Sequence, residues 1–368
     1  MVGKGHRRAT LAAAFAVALL AVSTVRAQLP GLLDDDAYWD LVQELSEAEG
    51  RFPPQYMSNE DSLQFVMPDL VRRAETGGVY IGVGSEQNFT YMAALQPALA
   101  FIVDIRRDNL RQVLLYKALF EIAPDRATFV AKLFSRPLAE SVEQNPSVTA
   151  LFEAFADQPA ATATYAATRD EVFANLIDTH GFALDPEDRA GIVRILEVFR
   201  DSGPERLQGL GDITDLSFAQ LMAATDLAGT AWGFLASSAN YNVIRQLMLK
   251  NLVVPVVGDF AGDTALAGIA NFLEEREAVV HVFYVSNVER YLWDQGQTGL
   301  NFYANLSLLP RDDGSLFIRS VTSDISLRLG IPIPDQPAKW RTFLTPMQRD
   351  LDGVRSGRIA SYRDLFVP

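Results

Sequence analysis

Two short apolar runs, each followed by a helical pattern, restrict the fold more than any other feature of the chain. VYIGVG (79–84) and ALAFIVDI (98–105) are continuous apolar runs, a pattern typical of parallel strands buried on both faces. Helical spacing follows each run, over residues 87–97 and over 109–123. Strand, helix, strand and helix with short links form a βαβ unit, whose right-handed crossover places both strands in one parallel sheet. The sequence therefore predicts an α/β fold with a mostly parallel sheet.

The remainder of the chain changes character twice. Residues 124–250 are rich in helical spacing and poor in strand-like runs, which predicts a large helical insertion. Strand signals return at 251–260 and 278–288, and Asp313-Gly314 predicts a β-hairpin between LNFYANLSLLP and SLFIRSVTS. The predicted organisation is a signal peptide (1–27), an N-terminal helical segment (28–77), the first half of the core (78–123), the insertion (124–250), and the second half with a C-terminal tail (251–368).

The first 27 residues have the layout of a secretory signal. Bases precede the apolar run LAAAFAVALLAV, and small residues follow it up to a cleavage site near Ala27. That run of twelve residues would reach only ~18 Å, short of the ~30 Å of a bilayer core. We therefore expect an exported, periplasmic or extracellular protein without a stable membrane span after cleavage.

Charge and composition exclude several classes of partner and site. Residues 1–27 carry four of the 32 bases and none of the 46 acids, so the mature chain would have a net charge of −18. This charge disfavours nucleic acid and anionic membranes as partners. The chain has no cysteine, and beyond the signal its histidines are His180 and His281, so no metal site is predicted. His281, in an apolar run, is expected to be a buried side chain, and His180 to lie at a helix end.

A glycine pair follows the first predicted strand and an acid ends the second. Gly82 and Gly84 would allow close approach of a ligand, and Asp104, twenty residues after Gly84, could accept hydrogen bonds from ribose hydroxyls. Glu86 stands where a carboxylate would face a pyrophosphate, and this repulsion argues against NAD or FAD.

These motifs resemble those of class I methyltransferases that use S-adenosylmethionine. IGVGSE resembles the glycine loop, Asp104 in FIVDIRR the ribose-binding acid, Asp259 in VVGDF the acid near the adenine, and YVSN the strand end that faces the methyl group. The resemblance implies a Rossmann-like core and S-adenosylmethionine or a related nucleoside as ligand. The blocks GVGSEQNFTY, FIVDIRR, GDFAG and YVSNVERYL also resemble a bacterial family of unknown function. The candidate cofactor-binding residues are Gly82, Gly84, Ser85, Glu86, Asn88, Asp104, Asp259, Ser286 and Asn287.

Structural roles compete for the same residues. The glycine pair would also suit a plain strand-to-helix turn, and Asn88 could cap the helix that follows. Asp104 could pair with Arg106 or Arg107, and Ser286-Asn287 could cap a helix with Glu289 in its first turn. Two functions follow: a methyltransferase-like enzyme, or a non-catalytic module that uses the same crevice for a small metabolite or a partner. Export bears on this choice, because S-adenosylmethionine is made in the cytoplasm and an exported methyltransferase would need an unusual supply of it.

Overall fold

A computed structural model describes residues 28–84, 86–138, 145–205, 216–331 and 336–367. The predicted signal and its cleavage site lie outside the described residues. The strands are β1 (Val79–Gly82), β2 (Leu99–Asp104), β3 (Val253–Val257), β4 (Val280–Ser286), β5 (Leu316–Thr322) and β6 (Trp340–Pro346). The helices before β3 are α1 (Asp35–Leu45), α2 (Met67–Arg73), α3 (Gln87–Leu95), α4 (Arg107–Ile122), α5 (Arg126–Leu133), α6 (Val148–Glu153), α7 (Thr162–Phe173), α8 (Pro186–Ser202), α9 (Phe218–Ala223) and α10 (Ser238–Leu249). Those after β3 are α11 (Ala265–Glu274), α12 (Val288–Asp294), α13 (Gln297–Leu308), α14 (Ser323–Leu329) and α15 (Met347–Arg355). A π-helix (Ala174–Thr179) follows α7, and a 3-10 helix (Tyr362–Phe366) follows α15.

The six strands form one sheet in the order β3-β2-β1-β4-β5-β6. The first five strands in this order are parallel, and β6 runs antiparallel to β5. Every residue of β1, β2 and β3 is buried, as the continuous apolar runs predict. Ile81 of β1 pairs with Phe101 of β2 on one side and with Phe283 of β4 on the other. The predicted α/β class with a mostly parallel sheet is confirmed.

The predicted hairpin around Asp313-Gly314 is wrong. Its first arm is helix α13, which buries Phe302, Tyr303 and Leu306 at helical spacing. The turn itself exists, because Asp312 accepts hydrogen bonds from the Gly314 and Ser315 backbone. It connects a helix to β5, whose neighbours are β4 and β6. The aromatic residues of 299–309 fit a strand by propensity, but their spacing favours a buried helical stripe.

Helices α5–α10 and the π-helix occupy the described residues between 124 and 250. Aromatic rings of this segment pack on α3 and α4: Phe129 of α5 lies 4.7 Å from Phe120, centroid to centroid. Phe234, in the turn before α10, lies 5.5 Å from Phe89. Ion pairs add a polar contact, since Asp188 of α8 accepts hydrogen bonds from Arg107 at 2.7 and 2.6 Å. These helices therefore share one hydrophobic core with the sheet.

The N-terminal helix α1 begins at a cluster of three acids, Asp34 to Asp36. The Asp34 side chain caps it by accepting a hydrogen bond from the Ala37 backbone at 2.8 Å, and Asp35 and Asp36 lie in its first turn. Its buried face is Tyr38, Leu41, Val42 and Leu45. Within the described ranges, no helix is both long and apolar enough to span a membrane.

Candidate functional site

A cleft of about 630 Å³ lies along the carboxyl ends of the parallel strands. All five parallel strands contribute to the cleft, through residues that end or directly follow β1 to β5: Val83, Asp104, Gly258, Ser286 and Thr322. Loop residues 51–60 form one wall and helix α12 forms another. The cleft therefore crosses the point between β1 and β4 where the strand order reverses, the usual ligand position in open α/β sheets.

The two glycines of the β1–α3 turn have different physical roles. Gly84 lines the cleft with a left-handed φ of +81°, a conformation that favours glycine. Gly82 leaves room inside the protein, because a Cβ at this position would lie 1.9 Å from Asn88 Oδ1. Asn88 is buried: its Oδ1 accepts from Tyr80 Oη at 2.8 Å, and its Nδ2 donates to the Val83 carbonyl at 3.0 Å. Of the candidate residues Gly82, Gly84 and Asn88, only Gly84 lines the cleft, and Ser85 lies outside the described residues.

Glu86 faces the protein interior. It is fully buried at the start of α3 and accepts a hydrogen bond from the Ser58 backbone N at 3.0 Å. Its side chain is not part of the cleft wall. The repulsion between Glu86 and a ligand phosphate, expected from the sequence, therefore has no basis in this geometry.

Asp104 lines the cleft, but its carboxylate already has protein partners. Oδ1 accepts hydrogen bonds from the Arg106 backbone N and from Arg106 Nε, both at 2.9 Å, and Oδ2 accepts from Arg106 Nη2 at 2.7 Å. Asn109 Nδ2 adds a fourth contact at 3.3 Å. Burial opposes the charge of Arg106, but Asp104 outweighs it and raises the pKa of the guanidinium. The alternative role as an ion-pair partner of Arg106 is the one this geometry matches.

Asp259 lies in the half of the cleft over β1, β2 and β3. Unlike Asp104, it has no cationic partner within the described residues. It is half-buried after β3, and its backbone N donates to Glu47 Oε1 at 2.6 Å. Its Oδ1 accepts from the Ala261 backbone N at 2.9 Å. The carboxylate therefore keeps acceptor capacity for a ligand in the cleft.

Ser286 and Asn287 lie at the end of β4, on the opposite side of the strand-order reversal from Asp104. Ser286 has a left-handed φ of +52°, and the pairing register of β4 with β5 shifts between Tyr284 and Ser286. Such backbone strain in a non-glycine residue is concentrated at functional sites. Asn287 is the N-cap residue of α12 but makes no side-chain capping bond, and Glu289 in the first turn instead binds Arg319.

The cleft also contains a group of residues that were not among the candidate site residues: Glu60, Gln87 and Tyr284. Glu60 Oε1 accepts from Tyr284 Oη at 2.8 Å and from Ser286 Oγ at 2.5 Å, and its Oε2 accepts from Ser320 Oγ. Burial raises the pKa of Glu60, and these three hydroxyl contacts oppose the shift. Glu60 lies in a run of capping-type residues, and its partners are more than 220 positions away in the chain. No local signal could have found it.

The cleft carries hydrogen-bonding and carboxylate chemistry. Within the described residues, no group of three or more His, Cys, Asp or Glu side chains is arranged to hold a metal ion. His180 lies at the end of the π-helix, as predicted, and contacts Asp35 and Glu121 away from the cleft. His281 is only half-buried, so the prediction of a buried side chain is wrong.

Fold and site together define the class: an α/β protein with a six-stranded, mostly parallel sheet and a cleft at the carboxyl ends of its parallel strands. Residues 56–349 match a domain of unknown function, DUF7790, and the chain belongs to this family. No curated protein matches the sequence. The matched range contains all six strands and Glu60, whereas the cleft-lining residues 51–55 precede it.

Proposed function

We propose that the cleft binds an adenosine-type small molecule, with S-adenosylmethionine as the candidate cofactor of a methyltransferase-like enzyme. The observation that carries the proposal is the position of the cleft, across the strand-order reversal between β1 and β4. The order 3-2-1-4-5-6 is that of Rossmann folds, which bind nucleotides in this crevice. The cleft volume of about 630 Å³ suits a ligand of this size.

Polar groups over β1, β2 and β3 support a nucleoside in this half of the cleft. Gly84 has no side chain to obstruct the approach of a ligand to the β1–α3 turn, and Asp259 offers carboxylate acceptors at the end of β3. Because Asp104 is held by Arg106, we assign ligand hydroxyl or amino groups to Asp259 first. Because Glu86 faces inward, its carboxylate does not repel a ligand phosphate. Phosphate-bearing nucleotides are therefore competing candidate ligands.

The second candidate function is a non-catalytic module that binds another small metabolite in the same cleft. The occupied carboxylate of Asp104 favours it, since a ribose would have to compete with Arg106 for hydrogen bonds. The two functions differ in the ligand that they require.

Calorimetry on the full chain distinguishes them. We expect S-adenosylmethionine and S-adenosylhomocysteine to bind, and Asp259→Asn to weaken both by about 1 to 3 kcal/mol, because a ligand donor loses its charged acceptor. Asp263→Asn is the matched control: this acid is exposed on the same loop and lies outside the cleft wall. NAD and adenosine are titrated in parallel to define the ligand class.

The outcomes separate the proposals. Absence of heat with both S-adenosyl compounds would exclude the methyltransferase-like function. Equal affinities of wild type, Asp259→Asn and Asp263→Asn would instead remove Asp259 from the binding site while retaining the ligand.

A further inference from the structure

The other half of the cleft, over β4, β5 and β6, contains a buried carboxylate without a cationic partner. Glu60 is 2% exposed, lines the cleft, and makes no ion pair within the described residues. Its hydrogen bonds come from the hydroxyls of Tyr284, Ser286 and Ser320. A buried carboxylate is costly unless a positive charge compensates it, and three donors leave about one of its four acceptor positions free.

Gln87 provides a second acceptor beside Glu60. It is 5% exposed, and its Nε2 donates to Tyr284 Oη at 2.8 Å. Tyr284 Oη therefore uses its own proton to reach Glu60 at 2.8 Å, which fixes the direction of this hydrogen-bond chain. Gln87 Oε1 has no hydrogen-bond partner in the described part of the chain, although the residue lines the cleft. A buried amide oxygen of this kind requires a donor.

The surrounding walls combine aromatic and apolar side chains with polar ones, including Arg290 of α12. Trp340 at the start of β6 lines this half of the cleft, as do Tyr291 and Leu292 of α12. The ring of Phe52 meets that of Tyr291 edge-on at 5.4 Å, so an aromatic pair from loop 51–60 and α12 lies at the rim. A ligand here would place an apolar body against rings and a polar end at Glu60 and Gln87.

From this combination we infer that Glu60 and Gln87 form a subsite for the ammonium group of an amphipathic primary amine. The ammonium supplies the cationic partner that the Glu60 carboxylate lacks within the described residues. It also supplies donors for the free acceptor position of Glu60 and for Gln87 Oε1. The aromatic wall contacts the body of the ligand. Loop 51–60 and the first residue of α3 form this subsite, and its contacts are with Tyr284 of β4 and Ser320 of β5. Ammonium binding there does not require a nucleoside at Asp259.

Calorimetry with three probes that share an indole-ethyl body tests the inference on the full chain. Tryptamine carries an ammonium, whereas tryptophol carries a hydroxyl and N-acetyltryptamine a neutral amide on the same indole-ethyl body. We expect tryptamine to bind at least about tenfold more tightly than either analogue, since a charge-assisted hydrogen bond replaces a neutral one. Glu60→Gln should abolish this preference while leaving indole binding, and Gln87→Met should reduce it several-fold.

Glu86→Gln is the control, because it neutralises another buried glutamate that lies outside the cleft wall. It should retain the preference for tryptamine. If Glu60→Gln fails to fold, Gln87→Met still decides, because it removes the free acceptor without removing a buried charge. Equal binding of the three probes, absence of tryptamine binding, or a preference that survives Gln87→Met would overturn the inference. The S-adenosyl titrations are separate, so failure of that proposal and failure of this one give different results.

Discussion

Gly82 and Gly84 have opposite relations to the cleft, although they are separated by one residue. Gly84 needs the backbone freedom of glycine because its φ is +81°. Gly82 belongs to β1 and needs the space, because Asn88 and Tyr80 occupy the volume of a Cβ. Asn88 in turn holds the Val83 carbonyl and so fixes the turn from within. Of the two glycines that suggest a ligand loop, Gly84 is therefore required by the backbone conformation of the turn and Gly82 by packing.

Substitution at Gly82 tests this division. We expect Gly82→Ala to lower the free energy of unfolding by about 1 to 3 kcal/mol, because the added methyl overpacks against Asn88 Oδ1 at 1.9 Å. Gly31→Ala is the control, since its Cβ would meet nothing within 4 Å. Urea unfolding of both variants measures the effect. Equal stability of the two variants would mean that Asn88 and Tyr80 can move aside without cost.

Three helical elements meet at His180. Its Nδ1 lies 2.6 Å from Asp35 Oδ1 of α1, and its Nε2 lies 2.6 Å from Glu121 Oε2 of α4. Glu121 also contacts Lys117 Nζ at 2.5 Å. Burial would lower the pKa of His180, but hydrogen bonding and charge from Glu121 outweigh it and raise the pKa above its ordinary value. When protonated, the imidazole donates to both carboxylates and joins α1 and α4 to the end of the π-helix.

The sign of the pH dependence follows from this pKa. Because the folded pKa of His180 exceeds the unfolded value of about 6.5, its stabilisation is complete below about pH 6.5. It is lost as the pH rises through the folded pKa. We expect His180→Gln to cost about 1 to 2 kcal/mol at pH 6 and progressively less at higher pH. Urea unfolding of both proteins between pH 6 and 9 measures the difference, and parallel curves would contradict this role.

At the scale of the whole molecule, periodicity predicted the elements that bury continuous apolar runs. Residues 79–84 and 98–105 were identifiable as parallel strands because every position of β1 and β2 is buried. The hairpin prediction was wrong at 299–309 because the aromatic residues there have high strand propensity although they lie at helical spacing. A local pattern therefore predicts an element correctly where its apolar residues are compatible with only one type of element.

The cleft was predictable in position but only partly in chemistry. Gly84, Asp104, Asp259, Ser286 and Asn287 line it because parallel strands end at one edge of the sheet. The sequence offered an Asp104–Arg106 ion pair only as an alternative, and it could not show that Glu86 turns inward. The Glu60 cluster depends on contacts across more than 220 positions, which no local pattern contains. Side-chain partners are set by tertiary packing, which the sequence pattern leaves open.

Packing of the C-terminal half depends on a second buried charge network, centred on Arg319 of β5. Its guanidinium contacts Glu289 of α12 at 2.5 Å and Asp350 of α15 at 2.6 Å, and all three side chains are buried. Tyr303 of α13 donates to Glu289 at 2.5 Å, so four elements meet at one cation. Arg349 also pairs with Asp350, at 2.7 Å. In contrast to Glu60, these carboxylates therefore have cationic partners in the protein itself, which marks the network as structural.

Removal of Arg319 should destabilise the whole molecule. We expect Arg319→Met to lower the free energy of unfolding by about 3 to 5 kcal/mol, because Glu289 and Asp350 lose their shared buried cation. Adding Glu289→Gln should restore part of this loss by removing the carboxylate left without a cation, whereas Asp350 keeps its ion pair with Arg349. Arg328→Met is the control: its ion pair with Asp324 is solvent-exposed and should contribute less than about 1 kcal/mol. Denaturant unfolding of the four proteins measures these differences. Equal losses for Arg319→Met and Arg328→Met would show that the buried network contributes no more to stability than a surface ion pair.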